Sequence, residues 1–434
     1  MSRIGAKRAF YLSRHLPSYG WQPVILARTA HKEGLDLKLM DLVGEDAIVS
    51  RSYHQNKIGE LEDASNLGTS TAQVSQKKLK SGIGLFEKLT GLSPQYLLPF
   101  DKGITEVLAA IKAGVRLIQE HDIKAIAVSV DPWSSLIVAS YLAKKYQLPL
   151  IPDFRDPWTM HSGKSKLRPR LTLAMMKVYE RKIFKQAKAV ILNTDTCAQA
   201  YRERDIDFLQ RDPFTVIRNA FDPTLFGTWQ ASKPLIDRPF KLYYFGKFRK
   251  FVRPDALFAG LAQLIQEDHL SPQDFQFVMI SSMDFFAQQA MEKYKLNDYI
   301  VSQPAVSFLE SFETLQQADA LALVDGGCDR VIAGKLYDYL CAGRPILSVT
   351  YSKEVSRIIH ESQSGICADP NDPCEIANAL RALIDQAKSK PYEPNAKKLA
   401  SFTADAQAKA YAQVLDQACL DDQNSADHGL KVQS

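Results

Sequence analysis

Short apolar runs alternating with longer segments of helical periodicity constrain this chain more than any other feature of its 434 residues. In the first half a helix is expected over 104–121, a strand over 125–130, a helix from Asp131-Pro-Trp-Ser-Ser to about Tyr146, and a strand over 149–153. A helix over 170–186, a strand over 189–192, a helix from Asp195 and a strand over 215–217 continue the series. Strands separated by helices pair in parallel, and the crossover helices cover both faces of the sheet.

The segment Arg218-Asn-Ala-Phe-Asp-Pro-Thr-Leu-Phe226 interrupts the series, because Asn and Asp-Pro favour turns and residues 227–238 have no period. A second alternation follows, with strands over 240–245, 275–280, 299–302, 320–324 and 346–349 and helices between them, the first from Pro254. A last helix is expected over 396–420, and the polar residues 421–434 as a disordered tail. The sequence therefore predicts an α/β protein of two doubly wound domains, 1–217 and 218–395. Its 46% hydrophobic and 24% charged residues are enough for two cores.

Residues 334–349, Gly-Lys-Leu-Tyr-Asp-Tyr-Leu-Cys-Ala-Gly-Arg-Pro-Ile-Leu-Ser-Val, carry the most local information. On a 3.6-residue period Leu336, Tyr337, Leu340 and Cys341 share one side. Lys335 and Asp338, three apart, are expected to meet as a charged pair on the other. Gly343 supplies a helix stop and Pro345 prevents resumption, so the unit reads helix, turn, buried strand. Before it, Ala320-Leu-Ala-Leu-Val324 and the loop Asp325-Gly-Gly-Cys-Asp-Arg330 lead into the helix start, an arrangement that can hold an anion. A lysine at a helix start is unfavourable beside the dipole unless an anion sits there, which singles out Lys335.

One element is missing from the scheme. The chain opens on a helix over 5–16 and a strand over 21–27, without the strand that ordinarily feeds such a helix in a parallel sheet. The expectation is that the first strand of the N-terminal domain is missing from this sequence and lies upstream. Residues 48–101 form a poorly patterned excursion. Within it Lys77, Lys78 and Lys80 lie near Ile83, Leu85, Phe86 and Leu89, which fits either a membrane-surface contact or a loop with local packing.

Charge is unevenly shared: residues 1–215 carry 32 Lys/Arg against 22 Asp/Glu, the remainder 22 against 27. A basic first half suits an anionic lipid or acceptor, or is simply solvated. No apolar run approaches the ~20 residues that span a bilayer, and the opening Met-Ser-Arg-Ile-Gly-Ala-Lys-Arg has no apolar core of a secretory signal. The cysteines at 197, 328, 341, 367, 374 and 419 lack metal-ligand spacing and read as thiols in a reducing compartment. The expected location is the cytoplasm, or peripherally the inner face of the membrane.

Two such domains in tandem would face one another across a cleft, where ligands collect at the C-terminal ends of strands. Gly246 ends a strand and lets backbone approach a ligand, and Lys247, Arg249, Lys250 and Arg253 follow it, a basic loop suited to a diphosphate or to solvent. The chain has no Gly-x-Ser-x-Gly, His-Glu-x-x-His or Walker-type glycine loop, and its eight histidines are scattered.

At these positions the sequence resembles the GT-B glycosyltransferases of the family 4-like group. The segment Gly334-Lys-Leu-Tyr-Asp-Tyr-Leu-Cys-Ala-Gly-Arg-Pro-Ile-Leu is similar to that family's Lys-Leu-x-Glu-Tyr-Leu-Ala-x-Gly-x-Pro-Ile-Leu, and Asn219-Ala-Phe-Asp to its interdomain signature. Tyr244-Phe-Gly-Lys-Phe, Ser364-Gly-Ile with Asp369-Pro-Asn-Asp-Pro, Gly5-Ala-Lys-Arg-Ala with Tyr19-Gly-Trp-Gln-Pro-Val-Ile-Leu, and Asp153-Phe-Arg-Asp-Pro-Trp extend the resemblance from Gly5 to about Ala387.

The resemblance implies a GT-B fold of two Rossmann-like domains, the first binding an acceptor and the second a nucleotide sugar, with the helix over 396–420 packing back towards the first. It implies transfer of a hexosyl group, with retention, to a polysaccharide or glycolipid in cell-surface glycan synthesis. Asp338 stands at the family's ribose-binding glutamate. Lys335, Lys247 and Arg253 would take the diphosphate, and Gly246 and Gly5 would approach the donor from either side. Leu336 belongs to the same segment. The family's other acidic residue falls on Arg330, with Asp329 adjacent. Asp153, Arg155 and Asp156 occupy the acceptor-side catalytic positions. No cofactor is expected, since the donor is a substrate, and the resemblance implies no metal. The expected partners are a nucleotide sugar and a glycan or lipid-linked acceptor, and no nucleic acid. A sugar-nucleotide epimerase of the same fold and a catalytically inactive GT-B scaffold are the alternative readings.

Overall fold

The computed structural model describes residues 4–28, 43, 47–53, 99–160, 168–226, 238–249, 252–325, 328–389 and 391–431. Lys77, Lys78 and Lys80 with their apolar neighbours, and Lys250 of the basic loop, lie outside the described residues. The chain divides into two compact units. One comprises Met1–Leu12, Thr194–Thr196 and Arg218–Lys409, the other Ser13–Asn193, Cys197–Ile217 and Ala410–Ser434.

The chain begins with α1 (Ile4–His15), whose first residues are counted with the unit formed mainly by the second half. The unit built on Ser13–Asn193 holds β1 (Val24–Arg28), β2 (Ile48–Tyr53), α2 (Val107–Glu120), β3 (Ile126–Val130), α3 (Ser135–Tyr146), β4 (Leu150–Phe154), α4 (Arg170–Gln186), β5 (Val190–Leu192), most of α5 (Asp195–Leu209), and β6 (Phe214–Val216). Strands β3 to β6 form a four-stranded parallel sheet in chain order, and β1 pairs with β2 in a two-stranded parallel sheet. The strand β2 corrects the sequence reading, which leaves 48–101 without pattern. Polar Ser50, Arg51 and Ser52 hide its periodicity, and pairing of Val24 with Ile48 and of Ile25 with Val49 supplies what the pattern does not.

Between the sheet and its helices lies an aromatic core in which Trp133 stacks on Trp158 at 5.3 Å and Phe184 meets Tyr201 edge-on at 5.1 Å. Beside it Glu180, fully buried, accepts hydrogen bonds from Thr159 Oγ1 at 2.5 Å, Tyr201 Oη at 2.7 Å and Arg204 Nη2 at 2.7 Å. Burial and the neighbouring carboxylate push the Tyr201 phenol well above its usual range, so it stays a donor.

The other unit contains β7 (Phe240–Phe245), α6 (Asp255–Glu267), β8 (Phe275–Ile280), α7 (Phe285–Lys293), β9 (Ile300–Gln303), α8 (Phe308–Leu315), β10 (Ala320–Val324), α9 (Lys335–Ala342), β11 (Ile346–Val349), α10 (Lys353–Glu361), β12 (Gly365–Ala368), α11 (Pro373–Ser389), α12 (Ala396–Ala400) and the start of α13 (Ala404–Lys431). Its six strands are all parallel, in the order β12-β11-β10-β7-β8-β9. The chain therefore winds outward from β7 to β9, returns, and winds outward from β10 to β12. Side chains of β7 alternate between faces: Phe240, Leu242 and Tyr244 enter one core with α6 and α11, while Tyr243 and Phe245 enter another with α9 and α10. Gly365 is required by close approach, since a Cβ there would lie 1.9 Å from the carbonyl oxygen of Ile346 on the paired strand.

Helix α9 departs from the expected amphipathic form. Leu336 to Ala342 are all buried, and Tyr339 Oη accepts a hydrogen bond from the Phe245 amide at 3.1 Å, so its nominally polar face also meets protein. The tail from Asp421, expected to be disordered, continues α13 to Lys431. An i,i+4 hydrogen bond from Gln417 to Asp421 carries the helix across that point.

Candidate functional site

In an open parallel sheet the carboxyl ends of the two strands flanking the reversal of winding leave a crevice between their loops, and ligands bind there. Here those strands are β7 and β10. Strand β7 ends at Phe245, and Gly246 turns the chain with φ of 96°. The turn is held by Ser281 Oγ, which donates to the Gly246 carbonyl at 3.1 Å, and by Asp284, which accepts from the Phe248 amide at 2.8 Å. Phe248 then stacks flat on Tyr244 at 4.2 Å.

Lys335, the first residue of α9, reaches this turn. Its ammonium lies 4.3 Å from the Tyr244 ring centroid, and a Cβ on Gly246 would stand 3.2 Å from it. Lys335 as a whole is half-buried, and its ammonium is desolvated. Burial first, and then the Arg249 guanidinium, lower its pKa to about 8, with Asp338 opposing. Among the described residues no carboxylate lies within ion-pair distance of it. A buried cation next to a second cation and a glycine turn can be satisfied by an anion.

Three residues further on, Asp338 does not meet Lys335. Both its oxygens accept from Lys7 Nζ of α1, at 2.8 and 2.9 Å, with both side chains nearly buried. The Phe308 ring lies 4.0 Å from the same ammonium. The expected Lys335–Asp338 pair is therefore replaced by a long-range one, because α9 is buried on both sides and its lysine and aspartate face different neighbours. Beside the pair, Arg8 Nη1 donates to the Arg218 carbonyl at 2.9 Å. Lys7, Arg8, Tyr11, Asn219, Ala220, Gly334 and Asp338 line a small recess. Lys7 and Arg8 were not singled out by the sequence reading, which takes only Gly5 from this segment. Two adjacent cations among the small and apolar residues of the first two turns of α1 were the available signal.

The other expected donor-side residues are placed as follows. Gly5 lies in the first turn of α1, two residues before Lys7. Lys247 is exposed. Arg253 is exposed as well, paired to Asp255 at 3.1 Å, with its guanidinium 4.4 Å from the Phe286 ring. Asp329 accepts from the Lys353 amide at 2.7 Å, at the start of α10. The Leu336 side chain is fully buried in the core and its amide donates to the Ala333 carbonyl at 3.0 Å.

The acceptor-side positions belong to the other unit. Asp153 lies within β4 and is 1% exposed. Arg155 donates from Nε to the Val130 carbonyl at 3.1 Å and from Nη2 to that of Asp131 at 2.5 Å, bracing the end of β3. Asp156 is half-buried in the bend after β4. Asp205-Ile-Asp207 on α5 has the spacing of a metal-binding acidic pair, but buried Asp205 is tied to Arg181 at 2.8 Å and to Arg204, which gives it a structural role.

No protein-family model matches the chain, and no curated protein matches it. Solved structures do. The glycosyltransferase from Rickettsia africae is similar over 95% of this chain and 94% of its own, with a TM-score of 0.61 and 11% identity. Sucrose-phosphate synthase from Thermosynechococcus elongatus is similar over 98% of this chain and 92% of its own, with a TM-score of 0.57 and 14% identity. The UDP-forming trehalose-phosphate synthase from Burkholderia xenovorans is similar over 70% and 76%, with a TM-score of 0.50 and 11% identity. At such identities the likeness establishes the fold, which is GT-B.

Proposed function

We propose that the chain is a glycosyltransferase that takes a sugar from a nucleoside diphosphate donor. The observation that carries this reading is the buried ammonium of Lys335 at the winding reversal, beside Gly246 and Arg249 and with no carboxylate partner among the described residues. A diphosphate would supply the missing counter-charge. As the glycosidic bond breaks, negative charge grows on the departing diphosphate, and a preorganised cation in a water-poor site stabilises that charge more than the ground state. Lys247, on the exposed side of the same turn, would add a second contact. Arg253 would have to leave Asp255 to join it.

Asp338 suits recognition of the ribose, since a carboxylate can accept from two vicinal hydroxyls. Lys7 already holds both its oxygens, so ribose hydroxyls would share or displace that ammonium. On the acceptor side, Asp156 is the more accessible carboxylate among the three expected residues, while Asp153 is buried within β4 and Arg155 braces the end of β3. Positioning and charge stabilisation carry the reaction, with retention of configuration and without a covalent nucleophile. The acceptor in this reading is a polysaccharide or glycolipid of the cell surface, and the enzyme works in the cytoplasm or peripherally at the inner face of the membrane.

The test has two stages. Thermal shift against UDP, GDP, ADP and their sugar derivatives should reveal stabilisation by one nucleotide class that Lys335→Met and Asp338→Asn abolish. Radiolabelled donors incubated with a membrane extract should then transfer label to an extractable product. Failure of every nucleotide to stabilise the protein would overturn the proposal, and conversion of the donor to a stereoisomer without transfer would favour an epimerase.

A further inference from the structure

Helix α4 (Arg170–Gln186) buries one side in the core through Thr172, Met176, Glu180, Ile183 and Phe184. Its opposite side is unusual for a solvated surface. Leu171 is 74% exposed, Met175 44%, Val178 53% and Tyr179 41%. Spacings of four, three and one place these four side chains in a single stripe along two turns of the helix. Scattered exposed apolar residues need no explanation, but a contiguous stripe does.

The exposed charges of α4 itself are all of one sign. Arg170, Lys177, Lys182 and Lys185 are exposed. The helix's only carboxylate, Glu180, is fully buried and engaged by Thr159, Tyr201 and Arg204. Lys182 lies one turn beyond Val178, with its ammonium 5.7 Å from the Tyr179 ring, so the stripe runs into a cationic end. Arg181, at the edge, is paired to Asp205. A docking face for another protein is ordinarily depleted in lysine, whereas three of the four exposed cations here are lysines. An apolar stripe whose exposed charged neighbours on the helix are lysine and arginine matches the interface of an anionic bilayer, where apolar side chains enter the acyl boundary and long cationic ones reach the headgroups.

We infer that the exposed face of α4 docks the protein on an anionic membrane surface, through Leu171, Met175, Val178 and Tyr179 inserted among lipids and Lys177, Lys182 and Lys185 on their headgroups. The surface is separate from the proposed donor site, which lies in the other unit, and the inference stands whether or not that site binds nucleotide.

Sedimentation of the full chain with phosphatidylcholine vesicles, with and without about one third phosphatidylglycerol, tests it. Binding is expected to the anionic vesicles only and to weaken on raising salt. Leu171→Ser with Val178→Ser should lower the partition coefficient about tenfold or more, and Lys182→Gln with Lys185→Gln by a similar factor, with thermal unfolding unchanged. Equal binding by wild type and both variants, or no binding to anionic vesicles, would overturn it. So would a concentration-dependent dimer in sedimentation velocity that Leu171→Ser with Val178→Ser abolishes, since a second copy would then be the occupant of the stripe.

Discussion

Replacing Lys335 by methionine should make the protein more stable and, in the proposed function, less able to bind its donor. In the folded chain the ammonium titrates at about 8, against 10.5 for a free lysine, chiefly because it is buried. At about 1.36 kcal/mol per pH unit this corresponds to roughly 3 kcal/mol of destabilisation carried by the charged form, an upper bound because the stem still packs on Tyr244. The sign follows from proton linkage. A lysine whose folded pKa lies below its unfolded one costs stability in full below pH about 8. The cost shrinks between 8 and 10.5 and vanishes above.

Lys335→Met, of similar length and apolar, removes that cost. Calorimetric unfolding should therefore find the variant more stable by up to about 3 kcal/mol near pH 7, and by about 1 kcal/mol near pH 9.5. The nucleoside diphosphate that stabilises the wild type should leave the variant unmoved. A variant less stable than wild type near neutral pH, or a difference that does not shrink on raising the pH, would refute the reasoning.

Further outcomes follow from the same geometry. In the wild type, donor affinity should be level below pH about 8 and fall above it as the free ammonium loses its proton, which titration calorimetry across that range would check. Gly246→Ala should cost about 1–3 kcal/mol from its backbone conformation alone and also weaken nucleotide binding, because the new Cβ would crowd the Lys335 ammonium at 3.2 Å. Lys7→Met should destabilise by about 3–5 kcal/mol by leaving Asp338 buried without its counter-ion, and adding Asp338→Asn should recover much of the loss in a double-mutant cycle by denaturation. Glu180→Gln should cost about 1–3 kcal/mol by denaturation, since Arg204 keeps Asp205 but loses one of its two carboxylates.

Much of the architecture was legible because parallel sheets are buried on both faces. The strands Phe240–Phe245, Phe275–Ile280 and Ile346–Val349 announce themselves as apolar runs with one polar residue each, Lys241, Gln276 and Ser348. Helix Arg170–Gln186 is visible from its period. The strand Ile48–Tyr53 was not, since half of it is polar and its conformation depends on pairing with a strand more than twenty residues away in sequence. The sequence also pointed to Gly246 and Lys335 as the makings of an anion site, because a glycine at a strand end and a lysine at a helix start are each costly without a purpose.

Which groups meet was a different matter. The amino-acid order determined two α/β windings, their turning residues and the basic and acidic side chains available at the loops. Only the tertiary structure decided that Asp338 pairs with Lys7, 331 positions away, rather than with Lys335 one turn back. It alone decided that the apolar stripe of α4 is left uncovered by the described residues. The physical reason is that periodicity reports which side of an element is apolar, whereas the partner of a charged side chain is fixed by packing between elements distant in the chain, and local spacing carries no record of it.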